Sequence, residues 1–270
     1  MAVQFFGFLF IAGIASTVGV ISGIGGGIIM KPVLDAVSGL GAVEINFLSG
    51  CAVLAMSLVS LLYGRGAGII LEPRRGTALA GGAALGGISG KLIFNAAIRS
   101  FAGTPMVRII QSLVLIVLTT MVFIYIKNKK NIRQKNIYNV FFCIALGLFL
   151  GMVSAFLGIG GGPVNIMIIS YFLSMDSKTA ALHSLYTIFL SQTASLLITI
   201  MGQTMAQVNS VQLIAMITGG ISGGLIGSRI AKALNHDQVD TIFSGILIAV
   251  MLLSVYNIIK VAAPMFFIFL

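Results

Sequence analysis

Gly23-Ile24-Gly25-Gly26-Gly27 interrupts an apolar run, and Gly158-Ile159-Gly160-Gly161-Gly162 repeats the interruption 135 positions later. A glycine in a helix interior costs about 1 kcal/mol relative to alanine, so three in succession mark a place where a helix stops. A short apolar segment follows each time, Ile28 to Leu40 and Pro163 to Met175. At helical rise such a segment covers roughly half of the ~30 Å hydrocarbon layer of a bilayer. Pro163, directly after Gly162, suits a first helical turn, where its missing N–H would be unpaired in any case.

The rest of the chain reads outward from this pair. Without a gap, Val18 matches Val153, Ser49 matches Ser184, and Ser60-Leu61-Leu62 matches Ser195-Leu196-Leu197. Two added residues bring Gly82, Gly86, Gly87 and Gly90 onto Gly219, Gly223, Gly224 and Gly227. Such an ordered set identifies a duplicated unit. The division that follows is a first repeat over 1–126, a basic linker over 127–137 and a second repeat over 138–270.

Composition fixes the solvent. Of 270 residues, 58% are hydrophobic and 8% charged, whereas a soluble domain carries about a quarter of its residues as charges. Phe5 to Met30 and Val140 to Met175 contain no charge at all. Hydropathy places spans near 4–23, 43–63, 77–98, 106–126, 138–157, 180–201, 211–232 and 240–259. The expected fold is all-α, a polytopic integral membrane protein of about eight transmembrane helices in two homologous halves with glycine-broken short helices.

The N-terminus lacks a basic region and an Ala-x-Ala site, so the first apolar segment is expected to be retained as a span. The net charge of +10 lies mostly in short loops, where it sets topology rather than binding nucleic acid. Lys127 to Lys135 carries five basic residues and no acid, which assigns it to the cytoplasmic side of an inner membrane. Arg65, Arg74 and Arg75 agree if four spans precede the linker; the N-terminus is then cytoplasmic too, while Arg229 and Lys232 fall outside. Four spans per half imply parallel repeats and an odd number inverted ones, and the sequence allows both. An oligomer of identical chains is compatible with it.

Cys51 and Cys143 sit inside apolar runs with no Cys-x-x-Cys and no His/Cys cluster. No structural zinc, disulfide framework or cofactor is implied.

The unwound glycines and the helix start after them present N–H groups with about half a positive charge, an anion cradle that needs no basic side chain. The candidate binding residues are therefore Gly25, Gly26, Gly27, Gly160, Gly161 and Gly162. Polar residues inside spans usually face a protein interior. Ser49 and Ser184 occupy matched places in the next span, with Asn46 a turn before Ser49 and His183 beside Ser184. Asn165 follows the second break as a further donor, and Gln192 could line the path or bridge helices. Against this, a membrane serine often bonds its own helix. His183 could carry a proton, and Lys31 and Asp35, one turn apart, could simply pair. For Gly82/Gly86/Gly90 and Gly219/Gly223/Gly227 a packing face is the preferred reading.

Gly87-Ile-Ser-Gly90 and Gly220-Ile-Ser-Gly223 fit the pattern of intramembrane serine proteases, but no span histidine is placed to serve either serine. Gly23 to Gly27 followed by Pro32-x-Leu34, then a span with Ser49, resembles the TauE/SafE family of sulfite and organosulfonate exporters. Gly158 to Gly162 and Ser184 look like that family's second copy. Leu48 and His183 stand where the family has a threonine, and Met167 stands where the first half has Pro32. The resemblance implies a secondary transporter or facilitator, not an enzyme, that exports a small anion such as sulfite or an organosulfonate, with that anion and the lipid bilayer as its partners. The alternatives are an intramembrane serine hydrolase using Ser89 or Ser222, and a non-transporting assembly factor.

Overall fold

The computed structural model describes residues 2–64, 72–101, 104–202 and 208–268. Arg65 lies outside them. Ten α-helices run through the described residues. The first five are α1 (Ala2–Ile21), α2 (Gly27–Val37), α3 (Ala42–Gly64), α4 (Pro73–Ser100) and α5 (Thr104–Asn128). The others are α6 (Val140–Leu157), α7 (Pro163–Leu173), α8 (Ser177–Met201), α9 (Ser210–Ala233) and α10 (His236–Ile268). Eight are long and apolar enough to cross a membrane. The other two, α2 and α7, have 11 residues each and reach about 16 Å at helical rise.

Local chemistry sets the helix ends. Asn139 caps α6 by accepting from the N–H groups of Phe141 and Phe142, and Asp176 caps α8 in the same way from Lys178 and Thr179. Pro73 and Pro163 open α4 and α7, where a proline loses nothing. Gly158 ends α6 with φ 67°, and Gly160, Gly161 and Gly162 continue at φ 73°, 120° and 69°. Residues with a Cβ avoid this region, which explains glycine at these four successive non-isoleucine positions.

Small residues also decide which helices pair. Gly82, Gly86 and Gly90 of α4 lie against the carbonyl oxygens of Ile144, Leu148 and Met152 of α6, with Gly147 and Gly151 answering from the other side. Gly219, Gly223 and Gly227 of α9 lie on Leu9, Gly13 and Thr17 of α1 in the same manner. The packing reading of both glycine ladders therefore describes the structure. Residue numbers rise together in each pair, so α4 runs parallel to α6 and α1 runs parallel to α9. Helix α3 also packs on α8, α5 on α10, α2 on α10 and α7 on α5. Exchanging one half for the other maps this set of contacts onto itself, and the two halves interleave.

The linker defines one face. Lys129 Nζ donates to Ser177 Oγ at 2.8 Å and lies 3.5 Å from Asp240, at the starts of α8 and α10. Lys135 N and Ile137 N donate to the carbonyls of Tyr171 and Phe172 near the end of α7. Arg75, at the start of α4, donates to Asn136 Oδ1 at 2.8 Å and stacks over the Tyr138 ring. It also forms an ion pair with Glu72, and the hydrogen bond from Arg75 holds the Glu72 carboxyl below its ordinary range. Lys232, at the end of α9, stacks over Tyr63 at the end of α3.

With α9 ending on this face, the parallel helix α1 begins on the opposite face. After the first break α2 turns back toward that opposite face, where Asp35 meets Arg108 near the start of α5 and Lys260 of α10 donates to Ala36 O. Helix α6 starts on the linker face and α7 returns to it. Each broken pair is thus a fold-back rather than one crossing. Two expectations change for this reason. The N-terminal helix starts on the face opposite the linker, and Arg229 and Lys232 share the linker's face, so the basic residues of the second half agree with those of the linker.

Candidate functional site

The two glycine breaks meet each other. Gly162 N–H donates to Ile24 O at 3.0 Å, and Gly27 lies directly on the carbonyl of Ile159. Val53 of α3 packs on Gly160 and Gly27, while Ile188 of α8 packs on Gly25 and Gly161. The space a Cβ would need at Gly27 or Gly160 is already filled, which is a second reason for glycine beside backbone conformation.

Much of the expected donor set is occupied by the protein itself. Gly25 N donates to Gly19 O at 3.1 Å, Gly162 N to Ile24 O, and Gly26 N lies 3.4 Å from Met56 Sδ. The N–H groups of Gly27, Gly160 and Gly161 have no bond among the described residues. The glycines therefore form a packed crossing, with three N–H groups left over, rather than two open cradles.

All twelve anticipated residues are buried, and the structure gathers most of them at this crossing. Asn46 lies over Gly158 and accepts from Lys31 at 2.8 Å. Ser49 Oγ lies 2.7 Å from Ile45 O and 3.1 Å from Gly158 O, so its proton is shared between its own helix and the second break. Asn165 Nδ2 faces Gly161, and its Oδ1 is unpartnered among the described residues, as is Ser184 Oγ. Two residues stand elsewhere. His183 accepts the Glu72 N–H through Nε2 at 3.2 Å and its ring fills the space over Gly76, at the linker end of α4. Gln192 lies over Gly50 in the contact of α3 with α8.

Lys31 is the residue the sequence placed wrongly. It does not pair with Asp35. Its ammonium is fully enclosed and donates to Gln111 Oε1 at 2.6 Å, Asn46 Oδ1 at 2.8 Å and Leu157 O at 2.5 Å. A lysine inside the membrane-spanning region is costly unless each proton finds an acceptor, and here all three do. Gln111, in the apolar helix α5, was the signal available for finding this cluster, since an amide there must face a partner.

Space is distributed unevenly about the crossing. On the linker face a cavity of about 400 Å³ is lined by Ser60, Lys178, Ala181, Ser228 and Lys232, among others. Ala181 packs on Gly23, so the cavity reaches the start of the first break. On the opposite side, the gap between Lys31, Gln111 and Ile159 has about 10 Å³ of free volume, roughly what one water needs. The molecule is open toward the linker and closed on the other side by the Lys31 cluster.

Ser89 and Ser222 carry no such surroundings: their hydroxyls donate to Gly86 O and Gly219 O of their own helices. Cys51 and Cys143 are free thiols.

The family model for sulfite exporter TauE/SafE matches residues 8–254. The chain belongs to the TauE/SafE family. Searches of curated proteins and of solved structures returned no match. Both glycine breaks, the Lys31 cluster and the basic linker of this TauE/SafE protein fall inside the matched range. It is a multi-pass membrane protein of a transporter family.

Proposed function

We propose that this TauE/SafE protein exports a small sulfur oxyanion, sulfite or an organosulfonate, along a route that passes the crossing of the two glycine breaks. The observation that carries this reading is the direct meeting of the breaks, Gly162 N–H on Ile24 O, between a basic cavity on one side and a closed lysine cluster on the other. Two packed fold-backs joined by few hydrogen bonds can exchange partners at small cost, and the unpaired N–H groups of Gly160 and Gly161 are free to take an oxyanion when they do. Asn46, Ser49, Asn165 and Ser184 would add uncharged donors that hold an anion without trapping it.

In this reading the halves 1–126 and 138–270 are inverted repeats joined by the linker 127–137, because each fold-back leaves three net crossings per half. The linker face, which also carries Arg74, Lys178, Arg229 and Lys232, is cytoplasmic by the positive-inside rule. An anion leaving a cell that is negative inside gains about 2.3 kcal/mol per charge per 100 mV, so export needs no ATP.

The test is sulfite efflux from proteoliposomes. Gly161→Val adds a β-branched side chain at φ 120° against Ile188 and should abolish flux. Gly245→Ala, where a Cβ meets nothing, should leave flux unchanged. Normal flux in a well-folded Gly161→Val protein removes the crossing from the route.

A further inference from the structure

We propose that the face opposite the linker holds a second anion station, selective for compact divalent oxyanions, framed by Lys31, Arg108 and Lys260 around Asp35. It rests on the export reading only in lying at the far end of the same route. A cavity of about 230 Å³ is lined there by Asp35, Arg108, Ser112, Asn257 and Lys260. Through Asp35, Ser112 and Asn257 it adjoins the narrow gap at Lys31 and Ile159, beside the second glycine break.

Three cationic side chains surround one carboxylate, with only Arg108 within ion-pair distance of it among the described residues, which leaves a surplus of two positive charges. The other partners cannot neutralise it. Lys31 donates only to two amide oxygens and a backbone carbonyl. Arg108 Nη2 donates to Leu40 O, and Lys260 Nζ to Ala36 O at 2.6 Å. All of these acceptors are neutral.

The single ion pair is open. Arg108 Nε lies 3.7 Å from Asp35 Oδ1, beyond a hydrogen bond, with side-chain exposures of 19% and 9%. Neither atom has a hydrogen-bond partner among the described residues, although both are shut away from solvent. Buried polar atoms left in this condition signal a missing partner. Asp35 acts as an internal stand-in, placed near the guanidinium until an oxyanion takes that donor.

Charge and size narrow the ligand. A dianion cancels the surplus, whereas a monoanion leaves one positive charge in a low-dielectric wall. The cavity of about 230 Å³ holds a compact oxyanion with a few waters, so the number of charges decides among small oxyanions. Sulfite, sulfate and thiosulfate fit this description; an alkylsulfonate does not. The second half offers no equivalent, since Ile166 stands 135 positions after Lys31. The station is thus confined to one side of the crossing.

Binding to the purified full chain in nanodiscs, followed by calorimetry, tests this with sodium sulfite, sulfate and thiosulfate against methanesulfonate and nitrate. The dianions should bind about tenfold or more tightly than the monoanions, and rising ionic strength should weaken them. Lys260→Gln, on an exposed side chain, and Arg108→Gln should each lower dianion affinity by about tenfold. Asp35→Asn should raise it, a change that loss of structure would not produce. Equal affinity for monoanions and dianions, or weaker binding in Asp35→Asn, overturns the station. Gly161→Val separates the two ideas: dianion binding without flux is expected. Wild-type binding without sulfite efflux would sink the export reading and leave the station standing.

Discussion

Lys31 Nζ donates to the carbonyl oxygen of Leu157 at 2.5 Å, tying the short helix of the first half to the last turn of the long helix before the second glycine break. The carbonyls at a helix C-terminus are unpaired and carry partial negative charge, so the ammonium also caps α6. The same ammonium holds α3 through Asn46 and α5 through Gln111. One side chain therefore locks four helices on the closed side of the crossing.

Removing it should loosen that side. Lys31→Met leaves three buried acceptors without donors, at about 1–3 kcal/mol each, offset by the relief of burying a charge. A net loss of about 2–4 kcal/mol is expected, read as a lower unfolding midpoint in detergent. Lys31→Gln retains two N–H donors and should recover part of the loss. If Lys31→Met unfolds at the wild-type midpoint, the ammonium is not a lock.

The contrast between Lys31 and the glycine breaks shows what a sequence can disclose. Breaks, span number and small-residue ladders are local patterns, and the helices start and stop within a few residues of where hydropathy and proline put them, except α10, which continues to Ile268. Lys31 has a plausible local partner in Asp35, and its actual acceptors lie 15, 80 and 126 positions away. Only packing chooses between them. His183 misled in the same way: it adjoins Ser184 in sequence, yet neighbouring residues on a helix point about 100° apart, and its ring serves the start of α4. The direction of α1 was hidden because a fold-back and a crossing have the same composition.

The glycine ladders predict sharply position-dependent costs. Gly86→Leu must displace the Leu148 carbonyl, and Gly223→Leu the Gly13 carbonyl. Each should cost more than about 2 kcal/mol, because overpacking of a backbone contact is not relieved by rotamer changes. Gly7→Ala and Gly81→Ala meet nothing within 4 Å and should stabilise their helices by up to about 1 kcal/mol. Equal effects at both kinds of site, measured by thermal unfolding, would show that the ladders do not set the pairing.

Linker docking should depend on acid. The Glu72 carboxyl is held down by its hydrogen bond from Arg75, and as a carboxylate above the ordinary glutamate pKa it steadies the guanidinium that docks the linker through Asn136 and Tyr138. That contribution falls as pH drops through the lowered value of the folded state. Amide hydrogen exchange over Lys129 to Lys135, taken relative to the intrinsic rate at each pH, should accelerate in that acidic window. Glu72→Gln should exchange faster there at neutral pH and show less acceleration in acid; an unchanged pH profile would remove Glu72 from the docking.

The sharpest topological prediction concerns Lys232 and Lys260. Both side chains are exposed, and they lie at opposite ends of the bundle, since Lys232 stacks on Tyr63 near the linker face and Lys260 reaches Ala36 on the other. Counting three crossings between the linker and Lys232 would put it opposite the linker; the fold-back of α6 and α7 puts it on the same side. In a background lacking Cys51 and Cys143, Lys260→Cys should react with an impermeant maleimide added to intact cells. Lys232→Cys should react only after permeabilisation, together with a cysteine placed at Arg133 in the linker. Labelling of Lys232→Cys from outside, with the linker protected, would mean that α6 and α7 together make one crossing, and the inverted arrangement would fall with it.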